Sequence, residues 1–188
     1  MNKTSDYINF DTALNTGKKL LNDDKKCRIG FYIVFSINAG LRVSDVLNIR
    51  HIDLHGDELI LNEKKTGKKR IITFNDNVKK AYSKLLEVLN NQGVKVNDED
   101  FIFVSQKNTT YKTQSINVIL KQVFNSKKLS ISSHSLRKAW ARRVYDNNNQ
   151  TESSLVLLSD ILNHSNIANT RRYLGIRKET IENVYLTL

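Results

Sequence analysis

Phe10, Ala13, Leu14, Gly17, Leu20 and Leu21 recur at three- and four-residue steps, the spacing that lines one face of an amphipathic helix. From Asp24 to Asn38 the apolar positions are almost continuous, which predicts a second, deeply buried helix, and Gly40 is placed to end it. Ser44 is a candidate N-cap for a short helix reaching Ile49. The period then changes. Glu58 to Glu63 and Arg70 to Phe74 are β-rich runs around a tip containing Thr66-Gly67, and they predict a β-hairpin. Asn75 caps a further helix in which Val78, Ala81, Tyr82, Leu85, Leu86 and Leu89 share one face, closed by Gln92-Gly93. Phe101 to Val104 fits either a strand or a packed loop. Helices are predicted over Ser115 to Lys127, Leu136 to Tyr145 and Leu155 to Leu162, with a polar loop from Asp146 to Ser154. At the end, Ile181, Val184, Tyr185 and Leu188 form a stripe on a short helix that must dock, onto its own domain or onto a neighbouring protomer.

Composition narrows the class. With 188 residues, 39% of them hydrophobic, the chain has room for one domain with a real core, and no repeat or flexible linker marks a second. The charge is more informative: 30 Lys and Arg against 19 Asp and Glu leave +11, a surface that attracts a polyanion, nucleic acid first. The single cysteine, Cys27, cannot close an intramolecular disulfide, no Cys/His spacing resembles a zinc site, and Cys27 reads as a helix-packing residue. The N-terminal residues lack an apolar signal core, and Ile29 to Ala39 is too short to span a bilayer. A soluble, cytoplasmic protein with no membrane partner is expected.

Four segments carry reactive groups: Gly40-Leu41-Arg42-Val43-Ser44-Asp45, Lys64-Lys65-Thr66-Gly67-Lys68-Lys69-Arg70, His134-Ser135-Leu136-Arg137, and Leu162-Asn163-His164 followed nine residues later by Tyr173. Singly each is weak; in this order they resemble the catalytic domain of the tyrosine recombinase, or phage integrase, family from about Asp24 to Leu188. Arg42 matches the first arginine of the family's Gly-Leu-Arg-x-Ser-acid box, with Asp45 at the acidic position. Lys65 matches the hairpin lysine, His134 and Arg137 the H-x-x-R box, His164 the late histidine and Tyr173 the nucleophile. One departure is visible, Asn163 where the family usually has glycine.

The resemblance implies a mainly α fold with a small antiparallel β-hairpin sheet, the DNA breaking-rejoining architecture, and a site-specific recombinase or integrase acting on double-stranded DNA. The chemistry suits the residues. A tyrosine phenol can conserve phosphodiester energy in a 3′-phosphotyrosine link, so rejoining needs no ATP. Guanidinium forks at Arg42 and Arg137 would stabilise the charge gathering on the phosphorane. Lys65 is assigned as general acid for the 5′ oxygen, ahead of Lys64, Lys68 and Lys69. His134 is assigned as base or phosphate hydrogen-bond partner, His164 as a further donor, and Asp45 as the residue orienting the Arg/His cluster. Lys64, Lys68, Lys69, Arg70, Arg171 and Arg172 are expected to contact DNA. No cofactor and no metal are expected. A tetramer on DNA and a monomer alone are implied, and a single catalytic domain over residues 1–188 is expected, without the family's N-terminal core-binding domain, either naturally or because the sequence is a fragment. The alternatives are a type IB topoisomerase-like enzyme and a catalytically silent DNA-binding regulator. Trp140, Tyr82 and Tyr145 read as packing residues, and His51 and His55 as ordinary surface histidines.

Overall fold

The computed structural model describes residues 5–125, 129–176 and 185–187. It is built from helices α1 (Phe10–Leu21), α2 (Cys27–Ala39) and α3 (Val43–Val46), strands β1 (Glu58–Asn62) and β2 (Lys69–Thr73), then α4 (Asp76–Asn91), α5 (Thr113–Phe124), α6 (Ser133–Asn147), α7 (Glu152–Leu162) and α8 (Ile167–Leu174). The mainly α fold with one antiparallel hairpin is as expected.

Helix α2 is the axis. Its apolar residues run round the whole circumference, and Phe31, Ile33, Val34, Phe35 and Ile37 are fully enclosed by α1, α4 and α6. The α1–α2 crossing is close because two glycines meet there. A Cβ on Gly30 would lie 2.7 Å from the Gly17 carbonyl oxygen and 2.5 Å from the Leu21 amide nitrogen. Asn75 does cap α4, its side chain accepting from the Val78 N–H at 3.1 Å. The hairpin pairs Glu58 with Thr73 through Asn62 with Lys69. Its alternation turns Leu59, Leu61 and Glu63 inward, leaving the cross-strand pair Ile60 and Ile71 exposed.

Several boundaries differ from the sequence reading. Helix α3 is capped by Arg42 rather than Ser44 and stops at Val46, because the chain turns at Leu47 to bury Leu47 and Ile49. Residues Phe101 to Val104 form no strand; isolated antiparallel bridges, Arg50 to Phe101 and Val104 to Thr110, flank Ile102 and Phe103, which plug the core. Helix α5 ends at Phe124, where Asn125 turns left-handed, and Lys127 lies outside the described residues. Helix α6 starts earlier than expected, since Ser132 and Ser135 form a reciprocal capping box. Of the C-terminal stripe, Ile181, Val184 and Leu188 lie outside the described residues, and Tyr185 is exposed.

The apolar interior has two parts. The larger centres on α2 and includes residues of α1, α4, α5 and the buried face of α6. The smaller joins Ala141 and Tyr145 of α6 to Leu155, Leu158 and Leu162 of α7 and Leu174 of α8, with Trp140 and Tyr173 packed against it. Helix α6 is shared by both.

Candidate active site

The site forms where α2 ends, α6 begins and α7 gives way to α8. Gly40 closes α2 with φ +60, a left-handed conformation that frees its carbonyl to point at α6. That carbonyl accepts from Arg137 Nε at 2.9 Å, so the buried guanidinium is aimed by the end of another helix. Trp140, one turn further along α6, lies against the bare face of Gly40 and is half-buried rather than central to the core. Arg42 follows two residues after Gly40 and reaches the Leu162 carbonyl at the end of α7 through Nη2 at 3.4 Å.

Tyr173 comes to this place on α8. Its hydroxyl is buried and, like Arg137 Nη2, has no hydrogen-bond partner among the described residues. Desolvation pushes the phenol up to about 12, against the pull of Arg137 and Arg42. The His164 ring lies edge-on to it with centroids 5.3 Å apart, and His164 Nδ1 is paired with Thr170 Oγ1 at 3.0 Å, which fixes the ring and leaves Nε2 for another partner. Burial first, then Arg137 and Arg42, hold the His164 pKa below its ordinary value. His134 sits exposed at the mouth, its pKa lowered by desolvation and then by Arg137, Lys138, Arg42 and Lys65. Two forks, two neutral imidazoles and a phenol thus face one small volume, an arrangement able to bind a tetrahedral anion and attack it.

A model described as the phage integrase family matches residues 10–180. The chain belongs to that family. A probable integrase/recombinase, YoeC of Bacillus subtilis (strain 168), is 30% identical over 88% of this chain and 86% of its own length. The tyrosine recombinase XerC of Caldanaerobacter subterraneus subsp. tengcongensis is 31% identical over 86% of this chain but only 46% of its own length. Thus the chain spans most of YoeC and about half of XerC. The crystal structure of XerA recombinase shares the fold, with a TM-score of 0.71 at 19% identity, over 100% of this chain and 66% of that one.

Within this phage integrase domain, Arg42, Arg137, His164 and Tyr173 converge, with His134 and Lys65 at the rim. Lys65 is exposed on the hairpin turn, and its charge reaches His134. Of its rivals, Lys68 Nζ is tied to Asn163 Oδ1 at 2.6 Å, while Lys64 and Lys69 are exposed. Asn163 itself adopts φ 56 and ψ 50, a left-handed conformation that glycine favours and asparagine tolerates.

Three expectations need correction. Among the described residues Asp45 bonds none of the cluster's arginines or histidines; its Oδ1 accepts from the Lys64 N–H at 3.0 Å and ties down the hairpin. The carboxylate on Arg42 is that of Glu63, which is 4% exposed. Arg70, expected on DNA, is turned inward, giving Nη1 to Glu63 Oε1 at 3.0 Å and to the Ile161 carbonyl at 3.1 Å. His51 is buried, its Nδ1 2.9 Å from the Tyr82 hydroxyl. The outward-facing Arg171 pairs with Glu152 at 3.0 Å, and Arg172 is exposed. Glu63 was missed although strand parity marks it: it follows Leu59 and Leu61 on the inward face, where a carboxylate demands a cationic partner. Among the described residues no three His, Cys, Asp or Glu side chains are grouped to hold a metal ion.

Proposed function

We propose that this domain cuts and rejoins double-stranded DNA through a covalent link to Tyr173, as part of site-specific recombination or integration. One observation carries the reading: the Tyr173 hydroxyl is buried, without a hydrogen-bond partner among the described residues, in the combined field of Arg42 and Arg137. A tyrosine packed only for stability would bond its hydroxyl to the protein. In the proposed step the Tyr173 oxygen attacks the scissile phosphorus, the bond from phosphorus to the 5′ oxygen breaks, and the DNA is left with a 3′-phosphotyrosine and a free 5′-OH. His134 takes or relays the phenol proton, and Lys65 delivers one to the leaving oxygen. Arg42, Arg137 and His164 Nε2 donate to the non-bridging oxygens as their charge grows. No metal or ATP is needed for this balance. The net charge of +11 supplies attraction for the duplex, with Lys64, Lys69 and Arg172 on the outside. Sequential strand exchange would require four protomers on DNA.

The test is a duplex with a nick close to the cleavage site, so that the cut fragment diffuses away and the protein stays attached. Wild type should shift covalently on a denaturing gel, in EDTA as well as without it. Tyr173→Phe should form no adduct while binding DNA within about twofold of wild type. An adduct formed by the phenylalanine variant would move the nucleophile elsewhere, and no adduct with any duplex would favour the silent regulator. Relaxation of supercoiled DNA without strand exchange would favour the topoisomerase-like alternative.

A further inference from the structure

Glu63 stands between two guanidiniums. Its Oε2 accepts from Arg42 Nη1 and from Thr66 Oγ1 at 2.8 Å, and its Oε1 accepts from Arg70 Nη1 at 3.0 Å. All three charged side chains are shielded, at 17% exposed for Arg42, 13% for Arg70 and 4% for Glu63. Burial pushes the Glu63 carboxyl up, but the bonds from Thr66, Arg42 and Arg70 outweigh it and hold its pKa below the usual value, so it is ionised.

An anion this close to Arg42 creates a difficulty for a site that binds phosphate. Paired with Arg42 alone, Glu63 would cancel its charge and repel the phosphate that Arg42 is to hold. Arg70 resolves this. Two guanidiniums against one carboxylate leave one positive charge, and Arg70 is taken up by Glu63 and the Ile161 carbonyl, so the surplus is presented through Arg42. The geometry is fixed at both ends. Arg42 and Arg70 also donate to the Leu162 and Ile161 carbonyls, acceptors that the last turn of α7 leaves unpaired. The hairpin is thereby joined to the segment that carries Asn163 and His164, and the Lys68 to Asn163 bond adds a second tie.

We propose that Glu63 and Arg70 form a charge-balanced clamp, two positioning residues that aim the Arg42 fork at the scissile phosphate while leaving it cationic. The inference rests on the function proposed above. It makes Arg70, a shielded side chain bonded to Glu63 and the Ile161 carbonyl, a determinant of cleavage through its charge.

Single-turnover cleavage of the nicked duplex tests this, with melting recorded for every variant. Arg70→Gln removes the charge but keeps a donor for Ile161, and should slow adduct formation at least tenfold. Adding Glu63→Gln should recover at least threefold of that loss, because the uncompensated carboxylate is gone. Arg70→Lys should be slowed less than Arg70→Gln. A purely structural role predicts the opposite: the double variant would be slower than Arg70→Gln, and such a result overturns the clamp, as does wild-type speed for Arg70→Gln. Glu63→Gln alone, an isostere, gives an outcome that does not depend on Arg70 variants folding. One carboxylate fewer beside the phosphate should steepen the slope of log K against log salt by about one. An unchanged slope would also overturn the clamp. If wild type itself makes no Tyr173-dependent adduct, the proposed function fails; if it does and the rescue is absent, only the clamp fails.

Discussion

A phenol pushed up to about 12 is protonated at neutral pH, so Tyr173 is a weak nucleophile until phosphate chemistry begins. The same desolvation that protects it makes the opposing arginine charges effective at short range. His51 shows the other use of burial. Its pKa is pulled down to about 4, chiefly by desolvation and then by Arg28, against Asp100 and Asp98. In the unfolded chain this histidine takes up a proton near 6.5, so the unfolded state binds more protons and stability falls as pH drops from about 6.5 towards 4. The fall in urea midpoint across that window should be shallower in His51→Gln than in wild type; equal slopes would mean that His51 is protonated in the folded protein. At this scale the sequence marked residues that the fold brings together where they sit in a fixed local motif, as with Arg42, the His134 to Arg137 box and the nine-residue step to Tyr173. It was unreadable where a partner comes from afar. Tyr82, 31 positions away, turns His51 from a surface residue into a buried hydrogen-bonded one.

Among the elements, the end of α2 carries the most consequence for its length. A Cβ on Gly40 would lie 2.3 Å from the Trp140 ring, and the left-handed backbone there is itself costly for any other residue. Gly40→Ala should therefore lose about 2 to 5 kcal/mol of stability from crowding and strain. It should also slow adduct formation in the fraction that stays folded, because the carbonyl that holds Arg137 Nε moves with it. Normal cleavage in a destabilised variant would show that Arg137 finds its own position. Long periodic runs such as α1, α2 and α4 were visible as apolar spacing, and so was the hairpin. The start of α6 was not, because its capping serines contribute no hydrophobic signal, and α8 is too short and basic to show its period in the face of Ile167, Thr170 and Leu174. The turn around Ile102 and Phe103 escaped for another reason: it is buried like a strand but has only isolated bridges.

For the molecule as a whole, charge pointed to the proposed class of partner and the ordered motifs to the proposed chemistry, while neither contained the network that unites them. No helix among the described residues is long and apolar enough to cross a membrane. The interior is divided, and that division has a kinetic meaning. Tyr173 packs against the small part made by α6, α7 and α8, and Arg42 and Arg70 are tied to the same part through the Leu162 and Ile161 carbonyls at the end of α7. A region with few apolar contacts opens more readily than the domain that supports it. Amide protons of α7 and α8 should therefore exchange with solvent through a lower-energy opening than those of α2, measurable as two protection classes in native-state deuterium uptake. In that partly opened form the nucleophile would be withdrawn and the arginine bonds to the Leu162 and Ile161 carbonyls lost together, so the apolar side chains of α7 set how readily the proposed site comes apart, with no change in any residue proposed to meet DNA.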